Sequence, residues 1–577
     1  MKKNVEKNFE AYVEQEVVRK AVEHSKAAAE KGREAMGLLA GQVLEWQGEK
    51  YLLVQDYLTA GNSATSVSVR FSDEAFPQLA TQVNAAKSKG KIIVGWCHCL
   101  PPSELIMTSC GPKQANEVYE EFLKKGFVKV PSLDLNKSRL SFSAITKAAK
   151  HKSVELVVIK TGLNREITST PEHKFLALTE NGLEWTGSKN IRVGSFLAIP
   201  TSIPVEGQDG IKIEPQDILI KRRKSVKYYP KLPTKVTPDL MRFLGLLYSD
   251  GHIRPRAWIE FSNTDEKLIQ EFSVLVKKLF DLETKIDRKP YGIRARIFSA
   301  IMYKYIANTL EYSKKRLPPI VFRCSRKNRL AFINGLSSGD GYSGLVSKKK
   351  KERVLCIYLG ENRRLSDELV YLFSTLGMKA RIRQQKQNFQ IRNHDYIYAA
   401  IVQENPTQNS DIIPFGGQKI RELCRIKKIK VHPHFALTNH GGASRTTLIS
   451  CLSKLKKMKV TSPIISDLTT LVNLPIQWVK VNSKQVKRSN IEVFDFFVEG
   501  THTFIAGSGP IISHNSHPSY GCFLSGTDVS TQRKYFCEEF SIAMVVDPVR
   551  REKKVFKLEQ NGKGYREASY AVIRKRI

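Results

Sequence analysis

The chain lacks any run of 18 apolar residues, and its start, MKKNVEKNFEAYVEQEVVRK, has no apolar stretch. Neither a membrane span nor a secretory leader is therefore expected. Its nine cysteines show no CxxC pairing and no scaffold-like density, which excludes a disulfide framework and predicts reduced thiols in a cytoplasmic setting. Acid is scarce: 56 Asp and Glu face 93 Lys and Arg, a net charge of +37. The deficit is local. Residues 1–98 hold 13 basic against 12 acidic side chains and residues 516–577 hold 12 against 7, so +31 lies within 99–515. Such charge favours a polyanion partner, because each neutralised phosphate releases condensed counterions. Hydrophobic content of 41% describes folded protein, and 577 residues exceed one core, so three or four domains are expected.

What is present begins with a metal-binding pattern cut in two. Residues 91–98 read KIIVGWCH and residues 516–528 read SHPSYGCFLSGTD. Joined, they give a strand ending in His98-Ser516-His517, followed by Ser525 and Asp528. Period-two geometry puts His98 and His517 on one face, as a shared metal requires. Two imidazoles and the Asp528 carboxylate leave a fourth tetrahedral position for water, the open zinc site of a hydrolase. Zinc lowers that water's pKa, and a carboxylate then takes its proton; Glu34 is the candidate base and Ser525 the candidate oxyanion donor. The flanking pattern predicts a helix over 8–31, a strand in EKYLLVQDYLTA and strand–helix–strand over 67–98, a mixed α/β domain.

Glu34 beside MGLL, VGWxHSHP across the junction and CFLSGTDVSTQ together resemble the JAMM metalloproteases of the MPN domain family. The resemblance covers most of the outer residues and implies Zn2+ at His98, His517 and Asp528. It further implies hydrolysis of ubiquitin-like modifier conjugates at lysine linkages, or of peptide extensions on such modifiers. Cys97 departs from the family, which commonly has an aromatic residue there.

The interruption opens with Cys99 in CLPPSELIM and closes with VFDFFVEGTHTFIAGSGPIISHN, ending at His514-Asn515 before Ser516. With TSTPEHKFLALTENG between, these blocks resemble inteins, the self-splicing members of the Hedgehog/intein fold, which are all-β. Cys99 matches the first nucleophile, Thr170 and His173 the Thr-x-x-His block, and Asp495, His502, His514 and Asn515 the C-terminal blocks. The resemblance implies a thioester at Cys99, transfer to the Ser516 hydroxyl and cyclisation of Asn515, with no cofactor. The resemblance also implies that His173 polarises the first amide, that His502 and His514 move protons, and that Asp495 activates Cys99 or Ser516. Glu104 departs from the family, which favours Thr there, and is read as tolerated.

Inside the interruption two segments repeat. RFLGLLYSDGHI ends a helical pattern at Asp250, and AFINGLSSGDGYSG does the same at Asp340, each followed by strand-like residues and a helix. A repeat that cannot close a core alone implies two halves about a pseudo-two-fold axis, with Gly245 and Gly335 letting the helices approach. One Asp-Gly helix end is an ordinary stop. Two at the same phase resemble the paired motifs of LAGLIDADG (DOD-type) homing endonucleases, of α+β fold. The resemblance implies Mg2+ at Asp250 and Asp340 and double-stranded DNA as partner. The motif lettering otherwise departs at Tyr248-Ser249 and Ser337-Ser338-Gly339, and the family's assisting lysine has no evident position. The basic stretches KRRK, KKKK and RIRQQKQNFQIR fit a duplex-binding saddle.

The expected organisation is nested and multidomain. An α/β MPN domain (1–98 and 516–577) is split by an intein splicing domain (99–200 and 476–515). That domain holds a linker (201–235), the endonuclease (236–400) and a basic helical bridge or DNA-contact segment (401–475). The rival expectation is a DNA-binding chain defective in splicing, with the outer domain a non-catalytic assembly module.

Overall fold

The outer segments meet across the whole interruption. Strand Ala11–Glu14 runs parallel between Glu49–Leu58 and Tyr570–Ile573, with Val13 opposite both Val54 and Val572. Helix Gln15–Glu30 buries Val17, Val18 and Ala21 against Leu52, Val54, Ile542, Met544 and Val555, so residues from both ends of the chain share one core. The protein is seen in a computed structural model that describes residues 11–30, 38–46, 49–58, 62–64, 69–71, 103–171, 173–214, 229–254, 258–347, 352–386, 396–403, 411–427, 429, 441–514, 542–547, 552–558 and 565–573.

The interruption starts as a sheet. Its strands are β1 (Leu105–Thr108), β2 (Gly111–Gln114), β3 (Val128–Asp134), β4 (Arg139–Thr161), β5 (Glu166–Ser169), β6 (Lys174–Thr179), β7 (Gly182–Gly187) and β8 (Phe196–Pro200). Helix α1 (Ala115–Lys125) qualifies the all-β expectation. NEVYEEFLKK favours helix. Gln114 and Glu117 close a capping box, and Gly126 (φ 76°) ends the helix in the left-handed region.

Two matching units follow. The first is α2 (Pro238–Asp250), β9 (Gly251–Arg254), β10 (Trp258–Asn263), α3 (Glu266–Phe280), β11 (Lys285–Lys289) and β12 (Gly292–Ile297). The second is α4 (Arg326–Asp340), β13 (Gly341–Ser347), β14 (Glu352–Tyr358), α5 (Arg363–Thr375), β15 (Ala380–Lys386) and β16 (Tyr396–Gln403). The sheets have the same strand order, β9-β10-β12-β11 and β13-β14-β16-β15. α2 and α4 pack face to face at glycines: a Cβ on Gly245 would lie 2.2 Å from the Phe332 carbonyl oxygen, and one on Gly335 would lie 2.4 Å from that of Arg242. Gly245→Ala therefore forces these helices apart and is expected to cost roughly 3 kcal/mol, as overpacking does. A thermal midpoint unchanged by Gly245→Ala contradicts this packing.

Helices α6 (Gly416–Ile426), α7 (Arg445–Lys457) and α8 (Pro463–Asn473) then lay Ile420, Leu448, Leu452, Leu468 and Leu471 on one face of the first sheet, against Leu176, Leu178, Ala198 and Trp478. Arg445 ties this cover together, bonding the Asp411 carboxylate (2.7 Å) and the carbonyls of Leu471, Val472 and Leu474. The chain re-enters the sheet with β17 (Ile476–Val498), β18 (Thr503–Ala506) and β19 (Ile511–His514). The completed order is β5-β4-β17-β8-β6-β19-β18-β1-β2, with β3 on β4 and β7 on β6.

Candidate active sites

Strand register gathers three of the singled-out histidines. β19 lies between β6 and β18, with Ser513 opposite Phe175 and His514 opposite Thr503. His173 just before β6, His502 just before β18 and His514 at the end of β19 are thereby drawn to one region. The rings of His502 and His514 stack at 6.3 Å between centroids, and Trp185 meets His514 edge-on at 4.7 Å. His173 is buried against Phe175 (5.0 Å) and Phe504 (6.1 Å). Its backbone N–H donates to the Thr170 carbonyl (3.1 Å), so Thr170 and His173 form one turn. The Thr170 hydroxyl is buried with no hydrogen-bond partner among the described residues.

His502 holds a left-handed conformation (φ 57°), uncommon for a residue with a Cβ. Partial desolvation pushes its pKa below the ordinary histidine value, which favours the neutral imidazole. Asp495 is fully buried on β17, opposite Ala149, and its Oδ1 accepts from the Phe496 N–H (2.8 Å). Cys99, Asn515 and Ser516 lie outside the described residues, as do His98, His517, Asp528, Glu34 and Ser525.

Glu104 is more than a tolerated departure. Its carboxylate accepts from the Thr168 N–H (2.7 Å), fastening the segment after Cys99 to the strand that leads to Thr170. Burial, together with the charges of Glu166 and Asp367 and against the Thr168 hydrogen bonds, raises its pKa to about 8. The folded state thus keeps a proton that the unfolded chain has released above its ordinary value of 4.5. Between those two values the folded state binds more protons, so stability falls as pH rises and levels off above about 8. Glu104→Gln is expected to flatten this part of the stability–pH curve, measured by urea unfolding from pH 5 to 9; an unchanged slope contradicts it.

The second site is where α2 and α4 end. A Cβ on Gly339 would lie 2.1 Å from Asp250 Oδ2, so the Asp250 carboxylate of one unit rests on the helix end of the other, next to Asp340. Asn263 donates to Asp250 Oδ2 (2.8 Å). Burial and then the Asp250 charge raise Asp340 to about 6, with Lys314 opposing. Burial also raises Asp250, offset by Asn263 and Lys314. Two adjacent half-buried acids that resist losing both protons are groups that could hold a divalent cation between them. Lys314, for which the sequence offers no motif, reaches the pair from the loop before α4: its ammonium donates to the carbonyls of Tyr248 (2.5 Å) and Ser249 (3.0 Å). Gly251 and Gly341 are not left-handed stops, having φ of −81° and −99°. They are needed for room, since a Cβ on either would lie 2.2 Å from the carbonyl oxygen four residues back.

Beyond the acids, the two sheets alternate. On β15, Ala380 and Ile382 are buried while Arg381 and Arg383 are exposed; on β12, Arg294 is exposed between Ile293 and buried Ala295. Lys285, Arg288 and Lys289 on β11 and Arg254 on β9 add exposed charge, and Tyr291, Phe298 and Tyr342 stand out as exposed aromatics. KRRK and KKKK lie outside the described residues.

A sheet that sets β1 and β19, the first and last strands of an interruption, on either side of β18, with His173, His502 and His514 gathered in one region, defines a protein built around its own excision points. The family described as "Intein splicing domain" matches residues 105–515, and the chain belongs to that family. It is similar to the replication factor C small subunit of Methanocaldococcus jannaschii, 25% identical over 354 residues, covering 57% of this chain and 17% of that protein. It is also similar to the DNA polymerase of Thermococcus sp. (strain GE8), 24% identical over 299 residues, covering 50% and 16%. The chain thus spans only a minor part of these relatives. Among solved structures, I-DmoI in complex with DNA and Ca is 19% identical, covering 29% of this chain and 83% of that one with a TM-score of 0.21. The TvoVMA intein is 21% identical, covering 18% and 69%, with a TM-score of 0.16.

Proposed function

We propose that the chain is a precursor that excises residues 99–515 and joins residue 98 to residue 516. The observation that carries this is the convergence of β6, β18 and β19, which draws His173, His502 and His514 into one region; we take that region as the meeting point of the two excision points. Cys99 Sγ attacks the His98 carbonyl, exchanging the amide for a thioester while the Cys99 nitrogen takes a proton from the His173 side. Ser516 Oγ displaces that thiolate and carries residues 1–98 as an ester. The Asn515 amide nitrogen then attacks its own carbonyl, releasing the Ser516 amine, which captures the ester as a peptide bond. Intramolecular attack at an effective molarity on the order of 10⁵ M supplies the rate without an energy source. Cover of only part of each differently named relative also fits a segment housed in several hosts. Intact-mass analysis of the expressed chain tests it: two products are expected, one joining residues 1–98 to 516–577, whereas a lone 65.4 kDa species overturns the reading.

Within the excised part, the paired units act as a double-strand DNA endonuclease. The matched sheet order, the exposed arginines and the two helix-end acids support this reading. Asp250 and Asp340 are the residues that would hold Mg2+, and the raised proton affinity of both fits a cation there. Such an ion, when bound, polarises phosphate and lowers the pKa of water. Lys314 sets a positive charge beside both acids, and Asn263 fixes the Asp250 carboxylate.

For the joined outer segments the reading is a Zn2+-dependent JAMM isopeptidase acting on ubiquitin-like modifier conjugates. Its support is the rejoined sequence pattern, together with the common core built from both outer segments. His98, His517 and Asp528 would hold the ion and Glu34 take the proton from water. Glu34→Gln in the joined product is expected to lose hydrolysis of a modifier–lysine linkage while retaining equimolar zinc; unchanged turnover removes Glu34 from the chemistry.

A further inference from the structure

The turn between β18 and β19 is held from three sides. Gly507 N–H donates to the Leu105 carbonyl (2.9 Å), tying the turn to the strand that follows Cys99. Ser508 N–H donates to the Glu166 carbonyl (2.6 Å), tying it to the strand that leads to Thr170 and His173. The third side is α5, which belongs to the second DNA-facing unit. Tyr371 Oη donates to the Gly507 carbonyl (2.8 Å), and Ser508 Oγ donates to Asp367 Oδ1 (2.6 Å). Arg363 donates to both Ser508 Oγ (2.7 Å) and Asp367 (3.0 Å). Arg165, fully buried, spans the same boundary, donating to the carbonyls of Pro510 (2.9 Å) and Ala380 (3.3 Å).

The turn itself admits little freedom. Gly507 and Gly509 have φ of 110° and 94°, and a Cβ on Gly509 would lie 2.8 Å from Arg165 Cγ. From Pro510 the chain enters β19 directly and reaches His514 and Asn515. Whatever grips this turn therefore sets where β19 and His514, the residue before Asn515, stand.

We propose that α5 of the second DNA-facing unit is a working part of the splicing centre, with Tyr371, Asp367 and Arg363 as positioning residues that act through residues 507–510. This rests on the splicing reading above. A shift of about 1 Å in a reacting group costs on the order of a hundredfold in rate, so loss of one such bond is felt at the junction. The first step at Cys99 depends less on this turn than Asn515 cyclisation does, because β19 leads from the turn to His514, the residue before Asn515.

The test uses the full chain, synthesised in a cell-free lysate and followed by gel with and without added thiol. Tyr371→Phe and Asp367→Asn are compared with the parent, and Ser508→Ala removes the partner on the splicing side. Asn515 cleavage is expected to slow at least fivefold in each. Thiol then releases residues 1–98 at the expense of ligated product, while salt-dependent duplex binding stays within twofold. A purely structural role lowers all products together and does not change this ratio. Decay and product ratio within twofold of the parent in all three variants overturn the proposal, as does a parallel loss of duplex binding that marks general unfolding. A parent chain that forms no ligated product overturns the splicing reading itself.

Discussion

Replacing both Cys99 and Asn515 by alanine leaves a single 65.4 kDa chain. Each replacement alone blocks a different exit. With Cys99→Ala no thioester forms, yet Asn515 can still cyclise and release the C-terminal segment. With Asn515→Ala the thioester still forms and can be cleaved by added thiol. Only the double variant closes both routes, and the expected loss is complete because the intramolecular rate advantage, on the order of 10⁵ M in effective molarity, has no bimolecular substitute. Any ligated product from that variant sinks the mechanism. Desolvation lowers the His502 pKa from its ordinary value, so cleavage at Asn515 in the Cys99→Ala variant should outlast acidification further than an ordinary histidine would allow, measured as cleavage rate against pH.

Asp250→Asn and Asp340→Asn are each expected to lower double-strand cutting by roughly a hundred- to a thousandfold while leaving duplex affinity within about threefold. Such losses are typical when a preorganised charge at the reacting centre is removed. Binding survives because the exposed arginines of β12 and β15, not the two acids, contact the duplex in this reading. The assay uses duplexes selected from a randomised library by the parent chain. Cutting that persists in both variants contradicts the site. So does a collapse of affinity, since two carboxylates repel phosphate when no cation is held.

The paired Asp-Gly helix ends were legible because one copy repeats the other at the same phase, and the glycine contacts at Gly245 and Gly335 followed from that repeat. Lys314 was not legible: it sits in a loop outside both repeats and meets the acids only when α2 and α4 pack. Glu104 looks like a spare departure because a sequence does not show that its carboxylate caps the Thr168 N–H. The helical pattern of 401–475 was legible, but not the sheet that α6 to α8 cover. Helix α1 is easily lost between two strand-like blocks, although its capping box, Gln114 with Glu117, is there to be read. The histidines came from resemblance to a family; their meeting comes from strand register, which pairs residues hundreds of positions apart.

β8 and β17 are neighbours whose ladder runs up to Pro200 opposite Ile476, and beyond it the Thr201 N–H closes on the Pro475 carbonyl (3.0 Å). Both paired units and the helical cover therefore hang from the open end of a single hairpin. In evolutionary terms, such cargo can arrive or depart by one in-frame event without moving any strand of the host sheet. Departure leaves two defects at once: a bare apolar face where the helices lay, and a junction turn no longer gripped by Tyr371. A lineage that sheds the cargo must repair both, so the surviving hairpin should carry polar replacements at Leu176, Leu178 and Ala198 and a new partner for Gly507.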